Sequence, residues 1–204
     1  MIDSTDLLSG PEGVTPLSPD DLIGLIPTAV VTRQELNEVE RENVEDAMIW
    51  AFGRKWTPES LLSDKVMRQL HERMFGDVWK WAGKYRKRET SIGVPPADIA
   101  VRLRNLLEDV RTQVDLAEDT RSVGDEIAIR FHHRLVQIHP FPNGNGRHAR
   151  LAADILVVAM SGKRFTWGTV DLAGAGEARS SYLSALRTAD ADFDYGPLLA
   201  FARS

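Results

Sequence analysis

Apolar residues recur along most of this 204-residue chain at the spacing of an α-helix. The clearest pattern covers residues 96–116, where one face carries Ile99, Leu103, Leu106, Leu107, Val110 and Val114. That spacing predicts an amphipathic helix with one buried face. A second stripe predicts a helix over about 125–138, after a polar loop, and it consists of Ile127, Phe131, Leu135 and Ile138.

Further segments carry helix signals of other kinds. Thr32 and Glu35 form a capping box that predicts the start of a helix. Met67, Leu70 and Met74 predict a helix near 64–75. Residues 146–160 are apolar nearly all round, which predicts a buried central helix. Two more helices are expected at about 176–190 and at the C-terminus.

The remaining segments break the helical pattern. Residues 1–20 are rich in glycine, proline and polar side chains, so they predict an irregular arm ahead of a single domain at 21–204. Residues 85–94 have no helical period and precede two prolines, and we expect a short two-stranded β-ribbon there. The predicted fold class is therefore all-α, with a central helix and one small β-hairpin.

Composition narrows the function classes. The chain has no cysteine, which excludes disulfides and thiolate metal sites and fits a reducing cytoplasm. No apolar run reaches spanning length, and the acidic start lacks the basic residues of a signal peptide, so no membrane partner is expected. A net charge of −5 argues against a nucleic-acid partner, although residues 84–88 read K-Y-R-K-R.

Residues 139–150, H-P-F-P-N-G-N-G-R-H-A-R, carry the chemistry. The glycine-rich loop opens a predicted helix, where free backbone N–H groups and the helix dipole favour an anion. Arg147 and Arg150 lie three positions apart and share a helix face, so both can meet that anion. His139 stands just before the loop as a titratable base. The segment therefore predicts a phosphate-binding loop with a base beside it.

Three other interpretations of this loop are possible. Gly144 to Ala149 also reads G-x-G-x-x-A, a dinucleotide-binding pattern, but that reading needs a preceding strand and the pattern here is helical. A P-loop is excluded because no G-x-x-x-x-G-K-[S/T] string occurs. A glycine-rich turn without a ligand would not need a histidine and two arginines at this spacing.

The string resembles the Fic/Doc (Fido) family signature, H-x-F-x-[D/E]-G-N-G-R-x-x-R. Seven of its eight fixed positions agree, and Asn143 stands where the family has Asp or Glu. A W-A-G-K-Y-R run at 81–86 resembles the approach to the β-hairpin flap of that family. From about Leu25 onward the chain is most similar to the subgroup called mobile mystery protein B.

The resemblance implies transfer of AMP from ATP to a hydroxyl of a target protein, with His139 as general base. It implies that Asn143, Gly144, Asn145, Gly146, Arg147 and Arg150 bind the nucleotide phosphates. Phe141 would point into the core and fix the loop. His148, at a variable motif position, is expected at the surface or behind the site. The flap residues Ser91, Ile92 and Gly93 would align the target by strand addition.

Asn143 is where the chain departs from the family. The family carboxylate at this position holds Mg²⁺ between two phosphates, and a neutral amide oxygen is a weaker ligand for Mg²⁺ or Mn²⁺. Three outcomes stay open: AMP transfer with the triphosphate supplying most metal ligands, transfer of another phosphate-containing group, or nucleotide or partner binding without turnover.

Regulation is the last expectation from the sequence. Many Fic proteins are inhibited by a helix that carries [S/T]-x-x-x-E-[G/N], and no such string stands in the right region here. We therefore expect no standard built-in inhibitor and an antitoxin acting in trans. Glu35 or Glu38 could substitute for the inhibitory residue, although capping and solvation are the simpler roles for both.

Overall fold

The computed structural model describes residues 16–169 and 176–204. The predicted arm at 1–20 lies outside the described residues up to position 15. Pro19 begins a helix, so the last two positions of the predicted arm are helical. Ser18 starts this first helix because its side-chain oxygen accepts from the Asp21 backbone N–H (3.2 Å).

Helices make up nearly all regular structure in the described part of the chain, and the all-α prediction is confirmed. Their bounds are α1 Pro19–Leu22, α2 Arg33–Phe52, α3 Pro58–Leu61, α4 Asp64–Phe75, α5 Ile99–Leu116, α6 Thr120–Ile138, α7 Asn145–Ala159, α8 Glu177–Asp192 and α9 Gly196–Arg203. Short 3-10 turns lie at Pro96–Asp98 and Trp167–Thr169. The capping box predicted from Thr32 and Glu35 opens α2, with both reciprocal bonds formed.

The predicted β-hairpin is absent from the described residues. Residues 85–94 form an irregular loop, and the single strand-type bridge in the described ranges joins Leu25 and Trp79. The backbone N–H groups of the two sides of the loop donate to the motif segment instead of to each other. Arg86 N donates to Pro140 O (3.0 Å) and Val94 N donates to Ile138 O (3.3 Å). The predicted two-stranded ribbon at 85–94 is therefore wrong, because the backbone on each side of this loop has its partner in the motif segment.

Helix α6 begins earlier than predicted. Asp119 caps it by accepting from Arg121 N (3.0 Å), so residues expected in a polar loop are helical. Gly124 lies inside the helix, although glycine there costs about 1 kcal/mol relative to alanine. It lies against Met160, where an added Cβ would be 3.6 Å from the side chain.

Helix α7 is the centre of the core, as predicted. Most of its apolar side chains are buried, among them Ala152, Ala153, Ile155, Leu156 and Val157, while Val158 near its end is exposed. The helix also buries His148, so of the two positions expected for that residue the surface is wrong, and the ring lies behind the site against Phe141. Nε2 of His148 bonds to the backbone oxygen of Met67 on α4 (2.9 Å), which makes the buried ring tolerable.

Across the described residues, no helix is both long and apolar enough to cross a membrane. A cytoplasmic location stays a prediction.

Buried neutral histidines make this fold sensitive to acid. Burial lowers the pKa of His132 to about 3 and that of His148 to about 4, from an ordinary value of 6.5. As pH falls below 6.5 the unfolded chain binds protons that the folded chain excludes until about pH 4, so the free energy of unfolding decreases through that window. Burial raises the pKa of Asp154 to about 6. Protonation of that carboxyl group therefore increases the free energy of unfolding as pH falls, but by less than the two histidines together decrease it.

We therefore expect the urea midpoint to fall between about pH 7 and about pH 5. The variant His148→Gln, whose amide can still donate to the Met67 oxygen, should lose less stability than the wild type over the same interval. Unfolding followed by circular dichroism at both pH values measures this. Equal losses for the two proteins would show that His148 does not carry the effect.

Candidate active site

The motif loop connects α6 to α7 through two left-handed residues. His139 ends α6 with a φ of 53°, and its N–H donates to Leu135 O (3.2 Å). Gly144 starts α7 with a φ of 76°. An added Cβ at Gly144 would lie 2.5 Å from the ring of Phe75, so both conformation and space require glycine. The loop is therefore shaped by these two turns and by α4 beneath it.

Asn145 closes the loop from inside. Phe141 N donates to Asn145 Oδ1 (2.9 Å), and Asn145 Nδ2 donates to Phe141 O (2.8 Å). Both polar atoms of this amide are thus bonded within the loop. The amide was expected from the sequence to contact phosphate instead. A ligand would meet the backbone N–H of Asn145. Phe141 is fully buried, as the resemblance implied for it.

His71 supports the loop from α4, and the sequence analysis missed it. Its Nδ1 accepts from Gly83 N (3.0 Å), so its Nε2 carries the proton and donates to Asn143 O (3.0 Å). The ring stacks on Phe141 at 3.8 Å between centroids. Burial lowers the pKa of His71 well below its ordinary value, so the ring is neutral. A histidine in the predicted 64–75 helix gave no signal of this role.

His139 is 4% exposed and has the properties of a neutral base. Burial lowers its pKa to about 4, against the raising effect of its bond to Val136, and the charges of Arg86 and Arg88 lower it further. The bond joins His139 Nδ1 to Val136 O (3.3 Å). Because a carbonyl oxygen only accepts, Nδ1 carries the proton, and Nε2 has a lone pair at neutral pH.

Arg86 anchors the His139 backbone and is the second residue that the sequence analysis missed. Its side chain is 3% exposed. It donates to His139 O (2.6 Å) and to Arg88 O (2.9 Å), and also to the backbone oxygen of Val94. One guanidinium therefore binds the loop of residues 85–94 to the end of α6. The only sequence signal was its place at the end of W-A-G-K-Y-R.

The basic run at residues 84–88 is partly used inside the molecule. Arg86 is buried, and Arg88 pairs with Asp21 of α1 (2.6 Å) and donates to Pro16 O (3.0 Å). This use of the charges weakens a nucleic-acid role for the run, which the net charge already disfavoured.

The two motif arginines are held by different partners. Arg147 pairs with Glu40 of α2 (2.7 Å) and lies over the ring of Phe75 at 4.7 Å. Glu40 is 2% exposed and also accepts from Trp79 Nε1 (2.7 Å). Arg150 lies over the ring of Tyr182 of α8 at 5.4 Å. The Glu40 contact spans 107 positions of sequence, so no local pattern could have predicted it.

All ten predicted site residues line a single cavity of about 1180 Å³, between α2, the loop of residues 85–94, the motif loop and α8. They are Ser91, Ile92, Gly93, His139, Asn143, Gly144, Asn145, Gly146, Arg147 and Arg150. Gly93 can lie against His139 because it has no side chain: an added Cβ would be 2.7 Å from the Cβ of His139. The cavity therefore combines a glycine-rich loop at a helix N-terminus, the two motif arginines and a neutral histidine.

The described residues do not form a metal site of their own. No group of three or more histidines or carboxylates is placed to hold a metal ion in residues 16–169 and 176–204. Asn143 is buried, and its Oδ1 accepts from Gly144 N (2.5 Å). A neutral amide oxygen engaged in this way is a poor ligand for Mg²⁺. The predicted Mg²⁺ or Mn²⁺ therefore stays a prediction.

The described residues thus form a helical domain in which one cavity holds a glycine-rich loop at a helix N-terminus, two motif arginines and a neutral histidine. Residues 61–157 match the model of the Fic/DOC family. The matched residues include His139, the motif loop and both motif arginines, so the chain is similar to this family over its central part. The narrower resemblance to mobile mystery protein B stays a prediction.

A curated relative is the protein adenylyltransferase Fic of Nematostella vectensis, 32% identical over 110 residues. The match covers 49% of this chain and 23% of that protein. The chain thus spans about a quarter of the curated relative.

Solved structures share the fold at low sequence identity. Fic-1 (residues 134–508) of C. elegans has a TM-score of 0.66 at 21% identity, over 90% of this chain and 52% of that one. The N-terminal Fic domain of a VirB-translocated effector of Bartonella quintana, with bound ADP, has a TM-score of 0.65 at 18% identity, over 86% of each chain. BepC of Bartonella tribocorum, with bound AMPPNP, has a TM-score of 0.64 at 17% identity, over 99% of this chain and 96% of that one.

Replacing Arg86 should change the titration of His139. In Arg86→Gln the nearby charge is lost, so we expect the pKa of His139 to rise, while Arg86→Lys should leave it closer to the wild-type value. Both variants lose donors to buried carbonyl oxygens, at about 1–3 kcal/mol for each group left unsatisfied. NMR titration of the histidine rings and urea unfolding measure the two effects.

Arg104, exposed on α5, provides the matched control: Arg104→Gln should alter neither quantity. An unchanged His139 titration in Arg86→Gln would mean that Arg86 does not act on the base electrostatically.

Proposed function

We propose that this chain is a nucleotidyltransferase that moves AMP from ATP to a serine, threonine or tyrosine hydroxyl of a target protein. The observation that carries the proposal is the neutral His139 in the same cavity as the phosphate-type loop and both arginines. The adenylyltransferase relative, and the ADP and AMPPNP bound by two structural neighbours, support the choice of an adenine nucleotide.

In the proposed reaction His139 is the general base. Its Nε2 accepts the proton of the target hydroxyl, and the freed oxygen forms a bond to the α-phosphorus of ATP. The bond from that phosphorus to the bridging oxygen of the β-phosphate breaks, and pyrophosphate leaves. The bond between Nδ1 and Val136 O fixes the tautomer and the ring plane that this proton transfer needs.

The phosphates would lie at the N-terminus of α7. Backbone N–H groups of Gly144, Asn145 and Gly146 are at the positive end of the helix dipole, which favours an anion. Arg147 and Arg150 would neutralise the β- and γ-phosphates. Arg147 is compensated by Glu40, so Arg150 would supply most of the net positive charge.

The loop of residues 85–94 would receive the target. Ser91, Ile92 and Gly93 border the cavity beside His139, and Ile92 is 47% exposed. An extended segment of a target could add alongside this loop through its backbone, without requiring a preformed hairpin. That contact would place a hydroxyl near His139.

Asn143 supports a second candidate, a nucleotide- or partner-binding domain that does not turn over. Its neutral amide cannot supply the charge that the family carboxylate contributes, and its oxygen is already bonded to Gly144 N. Transfer of a different phosphate-containing group is the other form of this alternative.

Inhibition in trans by an antitoxin remains part of the proposal. Glu35 accepts from Val31 N (2.8 Å) and Thr32 N (3.0 Å), so it caps its own helix. Glu38 lines the cavity and is exposed. Glu40, which was not among the suggested substitutes, is the α2 carboxylate that contacts a motif arginine.

The first test is label transfer from α-³²P-ATP to proteins of a bacterial lysate, with Mg²⁺ or Mn²⁺ present. We expect a labelled band that His139→Ala reduces by at least about 100-fold, the usual contribution of a positioned base. Calorimetry should show that the variant still binds ATP. Wild-type protein that binds ATP without labelling any protein would favour the binding domain.

The second test replaces Asn143 with aspartate. A charged oxygen at this position should increase the dependence of label transfer on Mg²⁺ and raise the rate by about tenfold or more. Asn143→Ala is the matched control, because it removes the amide without adding charge. Equal rates in wild type and Asn143→Asp would mean that position 143 does not limit turnover.

A further inference from the structure

Arg147 has a charged partner, whereas Arg150 has a neutral one. Arg147 faces the buried carboxylate of Glu40, which compensates its charge. Among residues 16–169 and 176–204, Arg150 forms no ion pair, and it contacts both the ring and the hydroxyl of Tyr182. The positive charge of Arg150 is therefore available to a ligand in the cavity.

Tyr182 is the side chain that determines where this charge lies. Its ring is 6% exposed, and the guanidinium carbon of Arg150 is 5.4 Å from the ring centre. An added Cβ on Gly146 of the loop would be 3.7 Å from Arg150 Nη1 and 4.0 Å from the Tyr182 hydroxyl. Guanidinium, hydroxyl and phosphate-type loop therefore meet at one end of the cavity.

The hydroxyl of Tyr182 is held in turn by a buried histidine. Nε2 of His132, on α6, lies 3.1 Å from the hydroxyl oxygen, and His132 is fully buried. Because burial lowers the pKa of His132 to about 3, the ring is neutral and its Nε2 can accept. The rings of His132 and Trp167 pack at 4.8 Å, which fixes the histidine from behind.

These contacts form a chain with one consistent set of hydrogen-bond directions, from Arg150 through Tyr182 to His132. Arg150 has only donors, so the Tyr182 oxygen accepts from it, and the hydroxyl proton is then donated to His132. Burial raises the pKa of Tyr182, against the lowering effects of the Arg150 charge and hydrogen bond, so the hydroxyl stays protonated at neutral pH. The chain orients Arg150 without neutralising it, in contrast to the Glu40 contact with Arg147.

We propose that Tyr182 is a positioning residue: its hydroxyl, backed by His132, holds the uncompensated charge of Arg150 toward the polyphosphate of the bound nucleotide. This inference rests on the proposed function, because it takes the cavity to be a nucleoside triphosphate site. It adds a residue outside the motif, from α8, to the groups that determine affinity for the polyphosphate.

The test is calorimetric binding of ATP and of AMP to the full chain. Tyr182→Phe keeps the ring under Arg150 and removes only the hydroxyl. We expect it to weaken ATP binding about tenfold, the effect of losing one hydrogen bond to a charged group. AMP, which lacks the β- and γ-phosphates, should bind within about twofold of the wild type. Tyr195→Phe is the matched control, since Tyr195 also packs on a histidine and under an arginine, His133 and Arg130, and does not line the cavity.

A double-mutant cycle with Arg150→Ala shows whether Tyr182 acts through the arginine. If it does, the double variant binds ATP no more weakly than Arg150→Ala alone. Additive losses, or an unchanged ATP affinity in Tyr182→Phe beside a weakened Arg150→Ala, would overturn the inference and leave the proposed function intact. An ATP affinity unaffected by Arg150→Ala would contradict both the inference about Tyr182 and the proposed phosphate contact of Arg150. Thermal unfolding of each variant checks that the fold is retained.

Discussion

The buried guanidinium of Arg86 is the interaction on which the geometry of the site depends. A charge taken out of water is costly, and here backbone carbonyl oxygens from two segments replace the lost hydration. Because those oxygens belong to the end of α6 and to the loop of residues 85–94, the side chain fixes one against the other. His139 is thereby held in a left-handed conformation that a histidine adopts infrequently.

Neutral histidines support this arrangement at several points. His71 connects Gly83 to the motif loop, His148 connects α7 to α4, and His132 lies behind Tyr182. Each is buried and uncharged, so each can bond to a backbone or hydroxyl group without the cost of a buried ion. His139 is buried and neutral like these three histidines. Burial and the charges of Arg86 and Arg88 lower its pKa.

The distribution of charge in the cavity is uneven as a result. One arginine is balanced by a buried carboxylate, while the other lies on an aromatic ring with a hydroxyl beside it. Asn143 contributes no charge where the Fic/DOC pattern has a carboxylate. Of the two motif arginines, Arg150 is thus the one without a carboxylate partner in the described residues, and it lies against α8, a helix that the motif does not include.

The sequence by itself determined the helices, the central position of α7 and the residues of the motif loop. Apolar spacing reports which face of a helix is buried, and capping residues report where it begins, because both effects act over a few neighbouring positions. Tertiary structure decided which distant side chains meet: Glu40 with Arg147, Tyr182 with Arg150 and His71 with the loop. It also decided that the backbone of residues 85–94 bonds to the backbone of the motif segment and forms no hairpin of its own. Such contacts join side chains that are tens of positions apart. They produce no periodic pattern in the sequence, so they are defined only when the helices pack.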